Sequence, residues 1–62
     1  MTRLNLDPNI KNADGFYARL LAAHEGLSKA DSDSLNARLI LILANHIGDL
    51  ATLEEAISIA ER

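Results

Sequence analysis

No cysteine occurs among the 62 residues, so disulfides and thiolate zinc sites are both excluded. A cysteine-free chain also fits a reducing compartment. Nor is there a basic cluster: Arg3, Lys11, Arg19, Lys29, Arg38 and Arg62 are scattered, and the formal net charge is −3. Nucleic-acid binding draws much of its affinity from neutralised phosphates, so that class is set aside, and anionic membrane surfaces with it. The longest unbroken apolar run, Leu39 to Ala44, falls far short of the roughly 20 residues that span a bilayer. The opening Met1-Thr2-Arg3-Leu4-Asn5 lacks the apolar run of a signal peptide, and the expected setting is the cytoplasm. A glycine-rich phosphate loop and a glycine-flanked serine elbow are both missing. The expectation is therefore a protein that is not an enzyme and uses no cofactor.

What is present is aliphatic: hydrophobic residues make up 48% of the chain, which argues against disorder. A chain this short hides only roughly 60% of its extended surface on folding. Without disulfides or a metal, helix packing and association are left to hold it together.

Residues 1–11 read as an extended N-terminal arm, with Leu4 and Leu6 alternating, Asp7-Pro8 breaking any helix and Ile10 able to pin it down. Residues 12–62 read as a single all-α domain, a helical hairpin followed by a short third helix. The first helix is expected over about 14–25, capped by Asp14 or its rival Asn12. Its apolar face carries Phe16, Leu20 and Ala23 with Tyr17, Leu21 and His24, and Gly26 supplies a left-handed cap. The second is expected over 29–47, from Ser28 to Gly48, with Leu35, Leu39, Ile42, Leu43 and Ile47 at helical spacing. A strand through Leu39–Leu43 is rejected, because the run is uniformly apolar and has no second strand to pair with. The third is expected over 52–61, where Thr52-Leu53-Glu54-Glu55 matches a capping box better than Asp49 does.

The second helix is apolar around nearly its whole circumference, leaving one polar strip of Asp31, Ser34, Arg38 and Asn45. Two short companions are too small to cover it. Each Leu or Ile left in water forfeits roughly 1.5–3 kcal/mol, so three or four together rival a small domain's stability. The expected assembly is a two-fold homodimeric helical bundle, with Leu35, Leu39, Ile40, Leu41, Ile42, Leu43, Ala44 and Ile47 as the interface. A larger protein partner is the competing account. Asn36, lying toward the apolar side, is expected to hydrogen-bond across the seam, while Arg38 reaches water or anchors a partner.

His24 and His46 each precede a capping glycine, where the helix dipole favours a protonated ring. Antiparallel packing of the first two helices sets the histidines roughly 25 Å apart. Two possible ligands at His46 and Asp49 are too few for a metal, and no metal site is expected. The same packing brings the start of the first helix toward His46, so that Asp14, Tyr17, Asn45, His46 and Asp49 form a polar cluster. That cluster is expected to be a lock between helix ends. The alternative reading makes Tyr17, Asn45, His46 and Asp49 a small-molecule site at the dimer interface.

Three stretches carry a resemblance: Asp14-Gly15-Phe16-Tyr17, His24-Glu25-Gly26-Leu27-Ser28, and the run from Leu35 to Asp49. Together they resemble a family of short bacterial proteins of unknown function, over nearly the whole chain. The resemblance implies a free-standing bacterial cytoplasmic protein and carries no activity or mechanism to transfer.

Overall fold

The computed structural model describes residues 4–62, so the expected arm is seen only from Leu4 onward and its first three residues lie outside the described part. Three α-helices follow the arm: α1 over Ala13–His24, α2 over Lys29–Ile47 and α3 over Leu50–Ala60. No strand occurs among the described residues, and the domain is all-α.

Each helix end is set by local chemistry. Asn12 wins over Asp14 as the cap of α1, adopting the left-handed conformation at φ 53° and accepting the Gly15 N–H at 3.2 Å. The helix consequently starts at Ala13, and Asp14 becomes a first-turn anion facing the positive end of the helix dipole. Gly15 is the residue this cap tolerates, because a Cβ there would come within 2.4 Å of the Asn12 side chain. At the other end Glu25 is already extended, so α1 stops at His24 rather than 25. Gly26 turns the chain at φ 78°, and the Leu27 N–H donates to the His24 carbonyl at 3.1 Å.

Ser28 Oγ accepts the Asp31 N–H at 3.2 Å to start α2, and Lys29 pairs with Asp33 one turn on at 2.8 Å. Gly48 ends it at φ 75°, donating its N–H to the Ala44 carbonyl at 2.9 Å. The third helix begins at Leu50, two residues before the expected start, because Asp49 and not Thr52 is the cap. The Asp49 carboxylate accepts both the Thr52 N–H at 2.9 Å and its hydroxyl at 2.5 Å. An ionised acceptor taking two donors at a helix N-terminus outcompetes a neutral hydroxyl taking one.

Helices α1 and α2 run antiparallel: His24 meets Asn36, while Phe16 shares a groove with Ile42. Helix α3, joined to α2 by the turn at Gly48–Asp49, also packs against it. The three helices do not close into a core. Among the described residues no apolar side chain is fully buried; Leu20, Leu35, Leu39, Leu53 and Ile59 are half-buried, and Thr52 alone is buried.

The dimensions say the same. The chain measures 40 × 25 × 24 Å with a radius of gyration of 13.4 Å, where a compact chain of this length would have about 10.6 Å. At 6.7 kDa it exposes 5605 Å², against about 3,900 Å² for a compact monomer of that mass.

Candidate interaction surface

Two of the open apolar surfaces involve α2. One is a side of α2 that does not line its groove with α1. At about 100° per residue, Ile40, Leu43 and Ile47 stack along one line of α2 at three- and four-residue steps, the spacing of a helix–helix seam. Leu41 stands on another side of the helix, bordering the polar strip of Arg38 and Asn45. Ile40 is 64% exposed, Leu41 69% and Ile47 51%, so these β- and γ-branched side chains give up most of the transfer energy that burial would provide. Of the expected interface residues, Ile42 and Leu43 are also exposed, whereas Leu35, Leu39 and Ala44 are half-buried by their own chain.

The other surface is an open groove of about 350 Å³ between α1 and α2. Phe16, Leu20 and Ala23 form one wall and Leu35, Leu39 and Ile42 the other, with Arg19 and Arg38 also in its lining. Arg38 is exposed, as its place on the polar strip implies, and it also borders this apolar channel. Arg19 was not singled out from the sequence. Its signal was present, since it stands three residues after Phe16 and next to Leu20, at the margin of the apolar face. Among the described residues neither guanidinium has an ion-pair partner, the one salt bridge being Lys29–Asp33.

The polar cluster expected at the far end does not assemble through hydrogen bonds. Tyr17 is 60% exposed, and Asn45, His46 and Asp49 are exposed as well. Asp49 spends its carboxylate on capping α3. Among the described residues no hydrogen bond links Asp14 or Tyr17 to Asn45, His46 or Asp49, and none of the five lines the α1–α2 groove.

Asn36 also differs from expectation. Its side-chain oxygen lies 2.8 Å from His24 Nε2, which ties α1 to α2 within one chain instead of bridging a seam. The opposite ring nitrogen, Nδ1, donates to the Leu20 carbonyl at 2.8 Å, since a carbonyl can only accept. The orientation of the Asn36 amide then follows the charge of the ring: its oxygen meets an imidazolium N–H, and its NH₂ group meets the lone pair of a neutral ring. Because His24 stands beside the second turn of α2, only ten residues of that helix, about 15 Å, separate its partner from His46. The roughly 25 Å expected from the sequence placed His24 at the connecting turn. A His24→Ala/Asn36→Ala double-mutant cycle in urea should give a coupling of about 0.5–1 kcal/mol. Zero coupling would show that the tie between α1 and α2 is not energetic.

Hydrogen bonds from the Thr52 hydroxyl, and then from its backbone N–H, hold the Asp49 carboxyl below its ordinary value. A lowered folded-state pKa contributes stability that is complete above the unfolded carboxylate value and is lost as pH falls through the folded one. Asp49 should therefore remain ionised, and α3 capped, into the acid side of the usual carboxylate range. A carboxyl-carbon NMR titration checks this: the Thr52→Val midpoint should move back up, and Asp49→Asn should remove this part of the acid dependence.

Among the described residues no three His, Asp or Glu side chains converge as a metal site, and no helix is long and apolar enough to cross a membrane. The fold and its open faces thus define a small three-helix domain whose accessible surface is apolar on several sides. The family model described as "Protein of unknown function (DUF2783)" matches residues 4–62, and the chain belongs to that family. No curated protein and no solved structure matches it.

Proposed function

We propose that this protein is a small, non-enzymatic interaction or accessory subunit that self-associates through α2. The observation that carries the reading is the accessible area. The chain exposes 5605 Å², roughly 1,700 Å² more than a compact monomer of its mass. A standard protein–protein interface takes only about 800 Å² from each partner. The extended arm accounts for part of the excess, but most of the exposed large apolar side chains sit on the helices, and three of them, Ile40, Leu43 and Ile47, share one side of α2. Burying that side against an identical one satisfies both copies with a single two-fold operation. The setting that accompanies this reading is the bacterial cytoplasm.

Sedimentation equilibrium on the purified protein tests it. A dimer or higher assembly at micromolar concentration is the expected result, with a thermal midpoint that rises with concentration. A well-folded monomer over the same range would defeat the proposal. Neither Tyr17 nor His46 lines the α1–α2 groove, so the alternative reading, small-molecule binding there, requires a pocket completed by a second copy.

A further inference from the structure

The α1–α2 groove is apolar at its floor and cationic at its rim, and none of its lining comes from α3. Helix α3 meanwhile presents an edge of the opposite character. Leu50 and Ile57, seven residues apart, lie on one line of the helix and are 69% and 59% exposed. At about 100° per residue, Glu54 and Glu61 fall within roughly 70° of that line, on its solvent side. Neither glutamate has an ion-pair partner among the described residues.

Resting on the self-association reading, we propose that the groove receives α3 of a second copy. The lengths agree: Leu35 to Ile42 along the groove and Leu50 to Ile57 along α3 each span seven residues, about 10.5 Å of helix. Leu50 and Ile57 enter the apolar floor, and Glu54 and Glu61 meet Arg19 and Arg38. Under two-fold symmetry the contact occurs twice, each copy giving one groove and one α3. The charge pattern selects this occupant over an apolar small molecule, which would leave both guanidiniums at the rim without a counter-charge.

The test uses two full-length variants. One reverses the groove (Arg19→Glu with Arg38→Glu) and the other reverses α3 (Glu54→Arg with Glu61→Arg). Each alone faces like charge with like charge, and its association should weaken about tenfold. Mixed in equal amounts, they should recover dimer as a heterodimer, because both grooves then face α3 helices of opposite sign. Lys11→Glu with Lys29→Glu makes the same change in net charge away from the groove and should stay dimeric; dissociation as strong as the groove variant's would overturn the proposal. So would groove and α3 variants that dimerise like the parent, or a mixture that fails to recover dimer while circular dichroism shows both to be helical. A parent protein that is monomeric defeats the self-association reading itself, whereas a dimeric parent indifferent to these reversals defeats only the seating of α3.

Discussion

Replacing Ile40 and Leu43 together by glutamate is expected to turn the assembly into a monomer at every concentration a centrifuge can reach. Neither side chain lines the α1–α2 groove, and Ile40 is 64% and Leu43 48% exposed within one chain, so the change removes only part of what holds the single molecule together. In a two-fold assembly it removes four aliphatic side chains. Full burial is worth about 1.5–3 kcal/mol for each. Scaled by those exposed fractions, the four together carry roughly 3–7 kcal/mol of it, a large share of the association free energy of a micromolar complex, about 8 kcal/mol. Burying the new carboxylates would add a further penalty. The parent's thermal midpoint should climb with concentration and the double variant's should not. Equal sedimentation of the two proteins would place the association surface elsewhere.

The second large effect is expected from Leu39→Ala. Leu39 is half-buried between α1 and α2, in the wall of the groove. Fully buried Leu→Ala changes cost 2–5 kcal/mol; half-burial puts this one near 2 kcal/mol, a fall of roughly 10 °C in the thermal midpoint for a domain of this size. Leu41→Ala makes the useful contrast. Leu41 is more exposed within the chain, so its truncation should leave the stability of the Ile40/Leu43 monomeric variant unchanged. In the parent it should cost stability only to the extent that association covers it. Scanning calorimetry on these five proteins separates what holds one chain together from what holds two.

Those two experiments matter because the three helices make so little of a core by themselves. A 62-residue chain with no apolar side chain fully buried among its described residues loses backbone and side-chain entropy at the usual rate while recovering only part of the burial that offsets it. Association is the remaining source of burial, which is why the fold and the proposed function are one problem here.

Much of the architecture was legible in the residues. The three helices, and the absence of strands among the described residues, follow from apolar spacing and from Ser28, Gly26 and Gly48, each of which acts within one turn of its own position. The circumference of α2 was readable in the same way, because helical periodicity alone says how many sides of a helix are apolar. Where two local solutions competed, sequence spacing favoured the wrong one at α3: the capping-box pattern pointed to Thr52, but pattern carries no information about the second donor that Asp49 acquires from the Thr52 hydroxyl.

The candidate site was less legible, for a different reason. Asn36 was assigned to a seam between copies and instead meets His24; Arg38 is exposed as expected, but the groove it borders together with Arg19 was not foreseen. Each assignment depends on the angle and offset at which α1 crosses α2, quantities that no repeat of three and four residues contains. Local hydrogen-bonding chemistry, written residue by residue, determined where each helix starts and stops and which sides are apolar. Only the tertiary structure decided which apolar sides meet within the chain and which are left open. That choice belongs to the packing of α1 and α3 against α2, where contacts between residues far apart in the chain set the geometry.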